Sequence, residues 1–259
     1  MQIKVFQTGK IREAPKIIAK LGMQPILFGD EGQLATAAML RRFAAEIRPA
    51  GLPHAAEAER WLRTLDSLDR HYGGAGALPL EDAADVLAAT LSALARMAQD
   101  APPALQAAVA DITLGAAIWA LRHDIALDPV EPVVNALAQR SNAARTPQEL
   151  AAVFGLMQGV IASVAPRLAP DLERSNPERP WRLLHANLAI TAIRTEDPKM
   201  MEFAFDALQE ALPDEAGTFF GQALALALAP GIAPGVRAAL ERRIVAVPGE
   251  SAGKGEFLG

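Results

Sequence analysis

Two pairs of carboxylates have the spacing most suggestive of chemistry in this 259-residue chain. Asp66 with Asp69, and Asp82 with Asp85, stand three residues apart, so each pair shares one face if its segment is helical. Such a face is what a Mg²⁺ site for a diphosphate substrate needs. A plainer reading fits the same residues. Arg63 and Arg70 flank the first pair near a predicted helix end, and the second pair falls in a predicted first turn, where acids suit the positive end of the helix dipole. We therefore expect no metal ligand and no cofactor here.

Other chemistry finds less support. His54, His71, His123 and His185 are scattered and form no metal-binding spacing. His123 is expected at a helix end, where the dipole favours a proton, and His185 in a hairpin interface. The run Gly249-Glu-Ser-Ala-Gly253-Lys254-Gly255 has the composition of a phosphate loop. Its glycines are one residue too close, no Ser or Thr follows Lys254 and no strand precedes it, so we read a flexible terminus. The serines lack a nucleophile-elbow context. With no cysteine, thiol nucleophiles, thiolate metal sites and disulfides are excluded.

The elements that would position any site read as helices. Apolar residues make up 51% of the chain and aromatics only 5%, so the core is built mainly of Ala and Leu, both strong helix formers. Helical spacing runs from Gln33 to Ile47, from His54 to about Arg70, from Glu81 or Asp82 to Met97, and from Ala104 to His123. A further helix is predicted after Asp128, with Pro129 in its first position. Thr146-Pro-Gln-Glu149 has the form of a capping box and opens a helix that Pro166 and Pro170 should end. Four more helices are predicted over 181–194, 198–211, 214–228 and 234–246. We divide the chain into a basic arm over 1–32, a helical domain over 33–247 with a hinge at 73–80, and a flexible tail over 248–259.

Leu184, Leu188, Pro198 and Leu208 recur as Phe220, Leu224, Pro234 and Ile244, an interval of 36 residues. Intervals of about 34 to 47 residues mark stacked helical hairpins. Trp181, Leu184 and Leu188 resemble the opening spacing of the tetratricopeptide repeat. His185 and Asp197 stand where that pattern has small residues. The resemblance spans about 35 residues and one degenerate copy after them. It implies helix-turn-helix architecture and assigns no binding residue. The expected fold is all-α: an array of helical hairpins forming a curved, solenoid-like domain.

The net charge of −5 divides unevenly, +4 over the first twenty residues and −9 over the rest. A basic arm on an acidic body suits an acidic protein surface, so Lys4, Lys10 and Lys16 are the expected partner-binding residues, joining a protein or peptide or a second copy of the chain. Nucleic acid is not expected, since the body has neither a basic face nor interleaved aromatics. The apolar window Ala104–Leu121 is broken by Gln106 and Asp111, which points to a buried helix and no integral membrane contact. The opening residues do not resemble a signal peptide, and a cytoplasmic location is expected. These features lead to a non-catalytic helical-repeat adaptor. The alternative is an all-α enzyme or small apolar-ligand binder, with the acidic pairs as its metal ligands.

Overall fold

Among the described residues, six of the ten α-helices begin on proline: Pro103, Pro147, Pro180, Pro198, Pro213 and Pro234. The first turn of a helix leaves its amide protons without partners, so proline loses nothing there and brings a preset φ. The computed structural model describes residues 35–72, 79–169, 179–229 and 232–246. The expected N-terminal arm, the C-terminal tail and residues 73–78 of the expected hinge lie outside the described residues. Among those described, the protein is all-helical and contains no strand.

In chain order the helices are α1 (Ala35–Arg42), α2 (Ala55–Tyr72), α3 (Leu80–Asp100), α4 (Pro103–Arg122), α5 (Glu131–Ala143), α6 (Pro147–Leu168), α7 (Pro180–Thr195), α8 (Pro198–Ala211), α9 (Pro213–Ala227) and α10 (Pro234–Ala246). Helix α1 continues through a π turn at Phe43–Ile47 and a 3-10 turn at Arg48–Ala50. It stops at Gly51, whose φ of +61° is the left-handed conformation that favours glycine. The chain separates into two compact units, Met1–Pro166 and Arg167–Gly259, the boundary falling in the last turn of α6.

In the first unit α2 pairs with α3 and α4 with α5, while α1 lies across α2 and α4. Every residue of α4 from Ala108 to Leu121 is buried. A helix apolar on all sides has no solvent face to offer, which makes α4 the central element. The capping box is present: the Thr146 hydroxyl accepts the Glu149 amide proton at 3.2 Å, and the Glu149 carboxylate accepts from the Thr146 and Arg145 amides at 3.1 and 2.7 Å. Two local expectations are corrected. Pro166 lies inside α6, because a proline in the final turn removes only one hydrogen bond, and the helix runs on to Leu168. Helix α5 starts at Glu131 with Pro132 in its first turn, while Pro129 precedes it after a cis peptide bond.

In the second unit α7 pairs with α8 and α9 with α10, and α8 packs against both members of the later pair. The prolines 36 residues apart, Pro198 and Pro234, are the first residues of α8 and α10. Leu184, Leu188, Leu208 and Phe220 are buried in the core, whereas Leu224 and Ile244 are half-buried. Phe205 packs edge-on against Phe220, with ring centres 5.1 Å apart. Asp197 caps α8 by accepting the amides of Lys199 and Met200 at 2.8 and 3.1 Å, which accounts for an acid where the tetratricopeptide pattern has alanine.

Candidate functional site

The acidic pair Asp66/Asp69 is buried, with Asp69 only 2% exposed. Helix α2 supplies both carboxylates, one turn apart. Helix α1 inserts Thr36, whose hydroxyl lies 2.9 Å from Asp66 Oδ1 and 3.0 Å from Asp69 Oδ2. Arg70 donates to Asp66 at 2.7 Å. His123, the residue after α4, brings Nε2 to 3.5 Å from Asp69 Oδ1 without the alignment of a hydrogen bond. Arg63, expected beside this pair, turns instead to Glu59 at 2.6 Å. The cluster thus joins α1, α2 and the end of α4, and its carboxylates are engaged by protein groups. Asp82 and Asp85 are exposed at the start of α3. Among the described residues no three His, Asp or Glu side chains are placed to hold a metal ion.

A second polar chain fastens α1 further along. Arg42 pairs with Glu46 at 3.1 Å and with buried Asp111 of α4. Arg140 of α5 then lies 3.7 Å from both Asp111 and Glu149. Burial pushes the Asp111 carboxyl up despite the two arginines beside it, so desolvation outweighs the ion pairing. Glu149 is held below its usual range by the Arg145 and Thr146 amides that it caps. In the second unit, Arg182 and Arg179 converge on Glu215 at 2.5 and 3.4 Å. Buried His185 donates Nδ1–H to the Trp181 carbonyl at 2.9 Å, and burial lowers its pKa to about 4.

These polar groups tie helices to one another. The α9–α10 turn behaves in the opposite way. Leu226 is 58% exposed, Leu228 60% and Ile232 38%. Gly221, Ala225 and Ala229 of the same stretch are exposed as well. A side chain at Gly221 would meet no atom within 4 Å. No charged residue occurs from Ala216 to Val236, in a chain that is 21% charged overall. Arg237 of α10 reaches this turn and donates to the Ala227 carbonyl at 3.4 Å, and the exposed large apolar side chains close together in the chain are the candidates for a binding surface. The signal was present in the sequence. Leu224, Leu226 and Leu228 alternate at intervals of two, about 200° apart on a helix, so a single core cannot bury them all.

The remaining expectations are placed as follows. Lys4, Lys10 and Lys16 lie outside the described residues, so the structure brings them to no site. Helices α4 and α6 are long and apolar enough to cross a membrane by length and composition, but 78% of the α4 window and 44% of the α6 window are buried inside the protein. A shallow depression on α2, lined by Ala56, Glu59, Arg60, Arg63, Thr64 and Ser67, is open to solvent and crossed by the Glu59–Arg63 pair. No protein-family model, curated protein or solved structure matches this chain.

Proposed function

We propose that this protein is a non-catalytic adaptor, a helical-hairpin repeat that binds another protein chain through the apolar face at the α9–α10 turn. The observation that carries this reading is the exposure of Leu226, Leu228 and Ile232 around the α9–α10 turn. Covering each of them would contribute about 1 kcal/mol, since each is already roughly half covered. The two hairpins of the second unit support the repeat reading, since Pro198 and Pro234 open their second helices 36 residues apart. A curved, solenoid-like stacking of such hairpins and a cytoplasmic location belong to the same proposal. Lys4, Lys10 and Lys16 would steer an acidic partner towards the protein, a contribution that salt screens. The alternative, an all-α enzyme or small apolar-ligand binder, would draw on Asp66 and Asp69, whose carboxylates already serve Thr36 and Arg70, or on the exposed pair Asp82 and Asp85.

A photo-crosslinking residue at position 228, with the exposed position 67 as control, tests the reading. Crosslinking at 228 should identify a protein whose purified form binds the full chain and binds the Leu228→Glu variant at least tenfold more weakly. Equal crosslinking at both positions, or equal affinity for both chains, would overturn the proposal.

A further inference from the structure

The junction of α1, α2 and α4 buries two carboxylates against one arginine. Arg70 donates to Asp66 and leaves Asp69 without a cation of its own. The Thr36 hydroxyl lies within reach of both carboxylates, but it has a single proton to give. The Asp69 side chain is only 1% exposed, and a carboxylate at that depth is strongly unfavourable unless a positive charge balances it.

His123 is placed to supply that charge. It is the residue after α4, at the negative end of the helix dipole. Its ring lies 4.9 Å from that of buried Trp119, within the range of a cation–π contact. Its Nε2 is buried, has no hydrogen-bond partner and stands 3.5 Å from Asp69 Oδ1. The other charged groups of the surrounding elements are turned elsewhere. Arg42 of α1 pairs with Glu46 and Asp111, Arg63 of α2 with Glu59, and Arg96 of α3 with Glu57. Arg41, His71, Arg122 and Asp124 are exposed. Among the described residues, His123 is the one group besides Arg70 that can bring positive charge to the buried pair.

We propose that a proton on His123 is the latch of this junction. The imidazolium pairs with Asp69, balances the second carboxylate and holds the first turns of α1 on α2 and α4. When the proton leaves, Asp69 is uncompensated, and this end of α1 opens to bare buried Thr36 and Met39. The latch is closed on the acid side and opens as pH rises, the direction for a histidine that gains an anionic partner on folding. It lies in the first unit and is independent of what binds at the α9–α10 turn.

Amide hydrogen exchange on the full chain tests the latch, read as protection factors so that the intrinsic pH dependence of exchange cancels. Between about pH 6 and about pH 8.5 the amides of residues 39–42 should lose about tenfold in protection, while those of α8 change less than about twofold. His123→Gln cannot carry the charge and should leave residues 39–42 weakly protected at both pH values. Asp69→Asn removes the carboxylate that needs the charge and should abolish the fall. Nitrogen NMR of the wild-type imidazole should find His123 protonated where α1 is protected and neutral where it has opened, a readout that does not depend on either variant folding. Wild-type protection that does not change with pH, a fall of the same size in both variants, or a neutral His123 beneath a protected α1 overturns the latch.

Discussion

His185 Nδ1 donates its proton to the carbonyl of Trp181, one helical turn earlier, at 2.9 Å, and the two rings meet edge to face with centres 4.3 Å apart. Burial disfavours the charged imidazolium and lowers the pKa from 6.5 to about 4. The native state thus holds His185 neutral where the unfolded chain takes up a proton. Its contribution is fully present above pH 6.5 and is lost as pH falls through that value towards 4. We expect roughly 3 kcal/mol to disappear over this window. Urea unfolding of wild type and His185→Gln between pH 7 and pH 4 should show a steeper acid loss for the wild type. Parallel curves would count against the assignment.

Trp181 itself is only 8% exposed and shares a helical face with buried Leu184 and Leu188. Trp181→Ala should cost about 3–5 kcal/mol of stability in the second unit. A change below about 1 kcal/mol in urea titrations would mean that the indole does not anchor the α7–α8 hairpin.

Thr36→Val removes the hydroxyl lying between Asp66 and Asp69 and leaves two buried carboxylates without it. The expected cost is about 2 kcal/mol, whereas Thr36→Ser keeps the hydroxyl and should cost less than half as much. Equal losses for the two variants would show that the methyl group, and not the hydroxyl, holds α1 in place.

Thr146→Ala and Glu149→Ala should each cost about 1 kcal/mol, and the double variant less than their sum, because both remove one reciprocal cap. The Glu149 carboxyl titrates below its usual range, so its share is present above pH 4.5 and is lost as pH falls below it. Additive losses would separate the two halves of the cap.

Features governed by neighbours in the chain were legible from sequence. The capping box at Thr146 and the proline at the start of α8 need only a few adjacent residues, and both stand where local rules put them. The burial of Asp66 and Asp69 was not legible, because it is created by Thr36 and His123, some thirty and fifty residues away. Beside Arg63 and Arg70 the pair reads as a solvated helix face. The α9 face fell between these cases: an Ala-Leu run reads as core, and only the two-residue alternation of Leu224, Leu226 and Leu228 reveals that one side must remain outside.

The central claim is that protein covers the α9–α10 face, and hydroxyl-radical footprinting tests it most directly. Labelling of Leu226, Leu228 and Ile232 should be high in the dilute purified chain and at least threefold lower in a membrane-free extract of expressing cells. Buried Leu65 should remain unlabelled in both. Equal labelling in the purified chain and the extract, or protection found only in the membrane fraction, would contradict the account.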